Sequence, residues 1–300
     1  MALTFSGHES FPCKSFWLKK GYDFLQEGGD FNAEEAVVQL GVGKNMVRSI
    51  RFWLKAFGVV DENQQITEWA HLIFDESNGA DPYLEDIGTL WLLHYKLATQ
   101  GVADIYQLTF NHFLAEPYEF TEKALEQYLT QVGKNEGQTL NANTLKRDVQ
   151  VFGQTYLGKK ASKAEEIEDT YASILVDLPL FHRESRQVRS LQDRMRDDHI
   201  ELLATKPGTQ PELPKEILLY AILRQYSGRL TITLDELRKD PNGPGKIFLL
   251  TQEGLYDKIR QLEDTYTEYI RYSETAGNAV MQFQEKMAAQ EVLKHYYHVG

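Results

Sequence analysis

Four cations at positions 44, 48, 51 and 55 carry the strongest chemical signal in the sequence. Lys44, Arg48, Arg51 and Lys55 recur at i, i+4, i+7 and i+11. On a helix at about 100° per residue they fall within roughly 60° of one another. Met46, Val47, Ile50, Trp53, Leu54 and Phe57 cover the other side. A basic stripe backed by an apolar face can pack on a small core and still meet a phosphate backbone. With Asn45 beside them, these cations would hold a DNA backbone and enter the major groove. A solvated face on an ordinary core helix would share the stripe, so the flanking elements have to decide. No acidic residue falls between Glu35 and Asp61, although the whole chain carries a net charge of -12.

Three other places hold residue types suited to hydrolysis. In Phe5-Ser-Gly-His-Glu-Ser-Phe-Pro-Cys-Lys14, His8 and Glu9 could supply a base or a metal ligand. The other reading of this segment is an ordered arm that docks Phe5, Phe11, Phe16 and Trp17 onto the fold. Asp193 and Asp197 form an i, i+4 carboxylate pair with Asp198 and His199 beside it, a spacing more often found in surface salt bridges. His94, Asp104 and His112 have no recognisable spacing. There is no Walker A loop, no Gly-x-Gly-x-x-Gly turn and no His-x-x-x-His helix. Residue chemistry by itself does not establish catalysis.

The elements around the stripe make it more specific. Phe31–Gly41 reads as a short helix with Asn32 as N-cap, Glu34 and Glu35 in its first turn and Gly41 as a left-handed terminator. Val42-Gly43 then turns into the basic helix, giving a helix-turn-helix. Gly58–Thr67 reads as strand, polar turn and strand, which would be a wing, and Trp69–Phe74 closes the unit. Residues 15–75 are thus expected to form a winged helix.

A second helix-turn-helix pattern spans 121–156. Thr121 caps a helix ending near Val132, and Asn141 or Asn143 opens the next at Ala142. Leu145, Val149, Phe152 and Tyr156 share one side of it, with Asn143, Lys146, Arg147 and Gln150 opposite. The polar set contains types that read base edges or phosphates. A helical packing unit fits the same pattern. A third such unit runs from a helix at Pro214–Tyr226 through a strand at Leu230–Leu234 and a helix at Gln252–Tyr266 to a hairpin at Tyr269–Phe283. The mixed charges Asp257, Lys258, Arg260 and Glu263 suit protein interaction or a homodimer better than DNA. Further helices are expected at Asp86–Leu97, Ile105–Leu114, Gln187–Leu203 and Gln284–Tyr297. Val188, Leu191, Met195 and Leu202 would form a helical seam. Arg183, Arg186, Arg189, Arg194 and Arg196 are interleaved with acids, as on a salt-bridged face.

The fold expected is mainly α and multidomain, built from winged-helix or helix-turn-helix-like units with short β-hairpin wings. Candidate linkers are Gly133–Gln138, Gly158–Ser162 and Thr205–Pro211. They divide the chain into an N-terminal arm plus winged helix (1–80), a helical middle domain (81–205) and a C-terminal winged-helix-like domain (206–300). Cys13 is the only cysteine, which rules out an intramolecular disulfide and a cysteine-based zinc site. No segment reads as a signal peptide or a membrane span, so a cytoplasmic protein is expected. The acidic balance argues against indiscriminate coating of nucleic acid but permits a local basic patch.

The opening Phe5–Lys14 motif, with Phe16-Trp-Leu-Lys-Lys-Gly-Tyr22, resembles a bacterial domain-of-unknown-function family associated with DNA phosphorothioation loci. Thr144-Leu-Lys-Arg-Asp-Val149, Gly243-Pro-Gly-Lys-Ile-Phe248 and Ser273-Glu-Thr-Ala-Gly277 extend the resemblance over nearly the full length. Where the family often has Arg and Thr, this chain has Lys14 and Ser10. The resemblance implies a double-stranded-DNA-binding protein of an anti-phage sulfur-modification system. Such a protein nicks one strand so that a non-bridging phosphate oxygen can be exchanged for sulfur. It further implies a cysteine desulfurase, an ATPase and a sulfurtransferase as partners. Nicking would call for a divalent metal such as Mg or Mn. The roles of His8 and Glu9 rest on their chemistry and position alone.

Overall fold

The computed structural model describes residues 3–115, 118–158, 173–189, 197–275 and 278–299. The stripe-bearing segment forms a helix. The first unit contains α1 (Trp17–Gln26), α2 (Ala36–Leu40) and α3 (Lys44–Ala56). Val47, Ile50, Trp53 and Leu54 of α3 are buried, the spacing of an amphipathic helix. Gly41 ends α2 with φ of 61°, a left-handed turn that a Cβ would disfavour. The helix is shorter than the predicted Phe31–Gly41, and Glu35 rather than Asn32 holds the N-cap position. Asn32 instead turns its N–H and side-chain amide onto Asp30 Oδ1, a local bond that competes with helix formation.

The expected wing contracts to a single antiparallel bridge between Val60 and Ile66. Asp61 accepts from the N–H groups of Asn63 and Gln65, so a side chain closes the turn where a longer ladder was expected. α4 (Glu68–Phe74) follows, and Trp69 Nε1 donates to the Gly58 carbonyl at 2.7 Å.

In the middle of the chain, α5 (Ile87–Thr99) is capped by Asp86 and buried on nearly every side. α6 (Asp104–Asn111) packs on it, and α7 (Glu122–Asn135) packs on α8 (Ala142–Leu157). Thr121 caps α7, and Asn141, rather than Asn143, caps α8. Gly133–Asn135, predicted as the start of a linker, belongs to α7.

The predicted helix at Gln187–Leu203 is contradicted. β1 (Glu119–Phe120), β2 (Phe181–Arg189) and β3 (Asp197–Thr205) form an antiparallel sheet in the order β1-β3-β2. Phe120 pairs with Leu203, and Phe181 with Thr205. Burial of Phe120, Phe181 and Leu203 at the base of the sheet outweighs the helix propensity of the Arg, Gln and Leu residues that follow. Leu191, Asp193, Arg194, Met195 and Arg196 lie outside the described residues. Arg183 donates to the Leu157 and Gly158 carbonyls, closing the end of α8, and Arg186 pairs with Glu119 at 2.9 Å.

The C-terminal part comprises α9 (Lys215–Gln225), β4 (Thr231–Thr233), α10 (Leu234–Lys239), α11 (Pro244–Ile247) and α12 (Gln252–Thr265). The predicted hairpin then appears as β5 (Ile270–Thr275) and β6 (Asn278–Phe283), with strand order β4-β6-β5. The last helix, α13 (Ala289–Tyr296), begins later than Gln284, because the Gln284 N–H extends the strand by donating to Tyr269 O. Buried side chains from all three parts join in one continuous core. Among the described residues no helix is long and apolar enough to cross a membrane.

Candidate nucleic-acid interface

α3 presents Lys44, Asn45, Arg48 and Lys55 as exposed side chains, with Arg51 half-buried between them. Arg51 donates to Asn32 Oδ1 at 2.7 Å and to Gln64 Oε1 at 2.8 Å. It thereby ties the segment before α2 to the turn after α3. Two of its five N–H donors are used in these bonds, and the rest can serve a phosphate. Gly43 at the head of α3 offers no side-chain acceptor to the first turn, which leaves an electropositive helix end.

The N-terminal motif is an ordered arm lying against this helix. Ser49 Oγ donates to the His8 carbonyl, and Trp53 Nε1 donates to Phe11 O at 3.0 Å. The His8 ring stacks on Trp53 at 5.9 Å and meets Phe52 edge-on at 5.8 Å. A Cβ on Gly7 would lie 2.2 Å from the Phe52 ring, so only glycine lets the backbone pass there. Ser6, Glu9 and Ser10 all take positive φ, at a cost of about 1–3 kcal/mol each that the surrounding contacts must offset.

The arm also reaches the middle of the chain. Leu3 N–H donates to Gln138, Thr4 N–H to Asp104, and Ser6 N–H to both oxygens of Asp148. Asp148 lies on α8, 3.3 Å from His8 Nε2, and both side chains are 3% exposed. His8 Nδ1 accepts from the Ser10 N–H, which leaves Nε2 as the ring nitrogen facing Asp148. Alignment is poor, and Nε2 makes no hydrogen bond.

Sequence reasoning missed Asp148, although a signal was present. It stands three residues after Leu145 and four before Phe152, a charged residue placed inside the apolar stripe of α8. Glu9, by contrast, is near the surface, with Oε1 3.4 Å from Arg48 Nη1. Asn143, Lys146 and Arg147 are exposed on α8, across the helix from buried Leu145 and Val149.

The third candidate group does not act as a unit. His94 is fully buried, with Nε2 2.7 Å from the Ile247 carbonyl and Nδ1 2.9 Å from the Tyr156 hydroxyl. Burial lowers its pKa to about 4, so it is a neutral ring donating from Nε2 and accepting at Nδ1. Asp104 holds the arm, and burial raises its pKa. His112 follows α6 as its C-cap residue. Of the second group, Asp197 opens a strand, so it is not part of a helical carboxylate pair.

A family model described as a protein of unknown function (DUF4007) matches residues 5–297. Comparison with curated proteins gives no match. Two solved structures are similar over 98% of this chain and 88% of theirs, each with a TM-score of 0.80. They are a magnesium-bound crystal structure of SspB, 26% identical, and a crystal structure of SspB, 27% identical. Among the described residues, no three His, Cys, Asp or Glu side chains gather as metal ligands. His8 and Asp148 do not fit a magnesium ion, which demands an octahedron of oxygen ligands. One of the two is a ring nitrogen, and the carboxylate already accepts the Ser6 N–H.

Proposed function

The chain belongs to the DUF4007 family, and from that premise, with its likeness to SspB, we propose that it is the DNA-binding component of a bacterial DNA phosphorothioation system. The observation that carries the reading is the exposed stripe on α3, set directly after the Gly41 turn. Residues 15–75 act as a winged helix with a minimal wing. Its α3 enters the major groove, with Lys44, Arg48 and Lys55 on phosphates and Asn45 near base edges. Asn143, Lys146 and Arg147 on α8 are second-tier contacts, at a spacing from α3 that the arm fixes. The acidic remainder limits non-specific binding and leaves surface for the desulfurase, ATPase and sulfurtransferase of the same cytoplasmic system.

Electrophoretic shift of short duplexes at two salt concentrations tests this reading. Arg48→Glu/Lys55→Glu is the informative variant, because both side chains are exposed, whereas Arg51 also ties together its neighbours. Salt-sensitive binding lost in the variant supports the reading. A wild type that fails to bind at low salt would point to a protein adaptor instead.

Strand nicking at His8 and Glu9 is the second reading, favoured by the place of the motif beside the stripe. Burial of His8 counts against it, because a phosphate would have to displace the arm to reach the ring. Nicking of supercoiled plasmid with magnesium or manganese, compared with His8→Ala and Glu9→Gln, separates a nuclease from a DNA-binding recruiter.

A further inference from the structure

A cleft of about 290 Å3 opens on the surface that carries the basic stripe. Leu25, Phe31 and Phe52 supply apolar lining, and Arg48, Arg51 and Lys55 bring three cations to the same opening. Its size lies at the lower edge of the roughly 300–1,000 Å3 typical of small-ligand sites. That leaves room for one ring system but not for a run of strand. An apolar cavity flanked by cations suits a ligand with a flat, weakly polar body attached to anionic groups. A nucleobase with its flanking phosphates is such a ligand, and a paired base is not, because its faces are covered by stacking.

We propose that this cleft receives a nucleobase turned out of the duplex, with the adjoining phosphates held by Arg48 and Lys55. The proposal rests on the DNA-binding reading above and deepens it. Two features suit the cleft to the task. Arg51 spans from Asn32 to Gln64 and holds two of its walls at a fixed separation. Phe52 is backed by the arm, with Gly7 against its ring and His8 and Trp53 at its edges, which makes it a rigid stacking surface. Glu62 also lines the cleft, and an ionised carboxylate only accepts hydrogen bonds. The base favoured is therefore one whose exposed edge carries an exocyclic amino group, over thymine, which offers a carboxylate only its N3–H.

The test uses the full chain at low salt and duplexes carrying 2-aminopurine at one position at a time. Expected is a several-fold fluorescence increase at one position on binding. A duplex with an unpaired nucleotide at that position should bind about tenfold tighter than the matched duplex, since unstacking is then less costly. Leu25→Trp and Phe31→Trp narrow the cleft without removing a cation. Whichever of them keeps the wild-type melting temperature should still shift matched duplex and lose both signals. Wild-type binding with no responsive position and no preference for the unpaired nucleotide overturns the cleft assignment and leaves DNA binding standing. Retention of both signals in a folded, narrowed variant overturns it as well. Failure to bind any duplex overturns the DNA-binding reading, and this inference with it.

Discussion

His8 and Asp148 lie 140 positions apart in sequence yet meet at 3.3 Å with both side chains out of solvent. That contact joins the arm beside α3 to the polar-faced helix α8. The same carboxylate accepts the Ser6 N–H, so one side chain both orients the arm backbone and faces the imidazole.

Asp148→Ala is therefore expected to free the arm before it disturbs either helix. The variant takes the acceptor from the part-buried Ser6 N–H and removes the carboxylate that faces His8 Nε2, at a cost of about 1–3 kcal/mol. Urea denaturation measures the loss, and limited proteolysis should show new cleavage near residues 3–12. A variant of unchanged stability with a protected arm would sink the claim that this contact anchors it.

Glu9→Gln distinguishes two roles for the second residue of the pair. As a partner of Arg48 it draws charge from the stripe, so its removal should tighten duplex binding by about twofold to threefold at low salt, with the gain fading as salt screens it. If Glu9 instead acts on DNA, binding stays level and plasmid nicking disappears. The shift assay and the plasmid assay on one preparation read both.

Much of this arrangement was legible in the sequence, and the missing parts share a cause. The cations at 44, 48, 51 and 55, the Gly41 turn, the Thr121 cap and the 269–283 hairpin are set by local spacing and turn chemistry, which a single sequence displays. The route of the arm is set by contacts such as Ser6 to Asp148 and Thr4 to Asp104, which local spacing does not encode. The antiparallel pairing of β2 with β3 was misread for the same reason. Its strand character comes from Phe120 pairing across to Leu203, while its own polar run has helical propensity. Asp148 was readable as a misfit within the α8 stripe, but its partner was not.

His94 supplies a pH dependence with a definite sign. Its folded pKa is lowered to about 4 from 6.5 by burial, so between those values the unfolded chain binds a proton that the folded chain refuses. Stability from this residue is complete above about pH 6.5 and falls with acidification towards pH 4, by at most about 1.4 kcal/mol per pH unit. His112, also lowered by burial, adds in the same direction. Denaturation at pH 7.5, 6.5, 5.5 and 4.5 should show a shallower slope in His94→Phe than in the wild type. The variant also starts less stable, because Ile247 O loses its donor. Equal slopes would mean that His94 is not held neutral.

Lys96 is a buried cation whose contacts do not repay its desolvation. Its ammonium lies 4.3 Å from the Trp69 ring centroid and 3.1 Å from the Tyr220 hydroxyl, on a side chain only 7% exposed. Burial, with Arg224 adding repulsion, holds its pKa well below 10.5, so the fold disfavours the charged form that the unfolded chain carries at neutral pH. Lys96→Met keeps the packing volume and removes that penalty. The variant is expected to be more stable than wild type by about 1–3 kcal/mol at pH 7. The gap should narrow as pH rises toward 10.5, where the unfolded chain also gives up its proton. Attraction to the Trp69 face opposes this, and cation–π contacts contribute up to about 2 kcal/mol when desolvated. A less stable Lys96→Met at pH 7 would show that the aromatic contact outweighs desolvation.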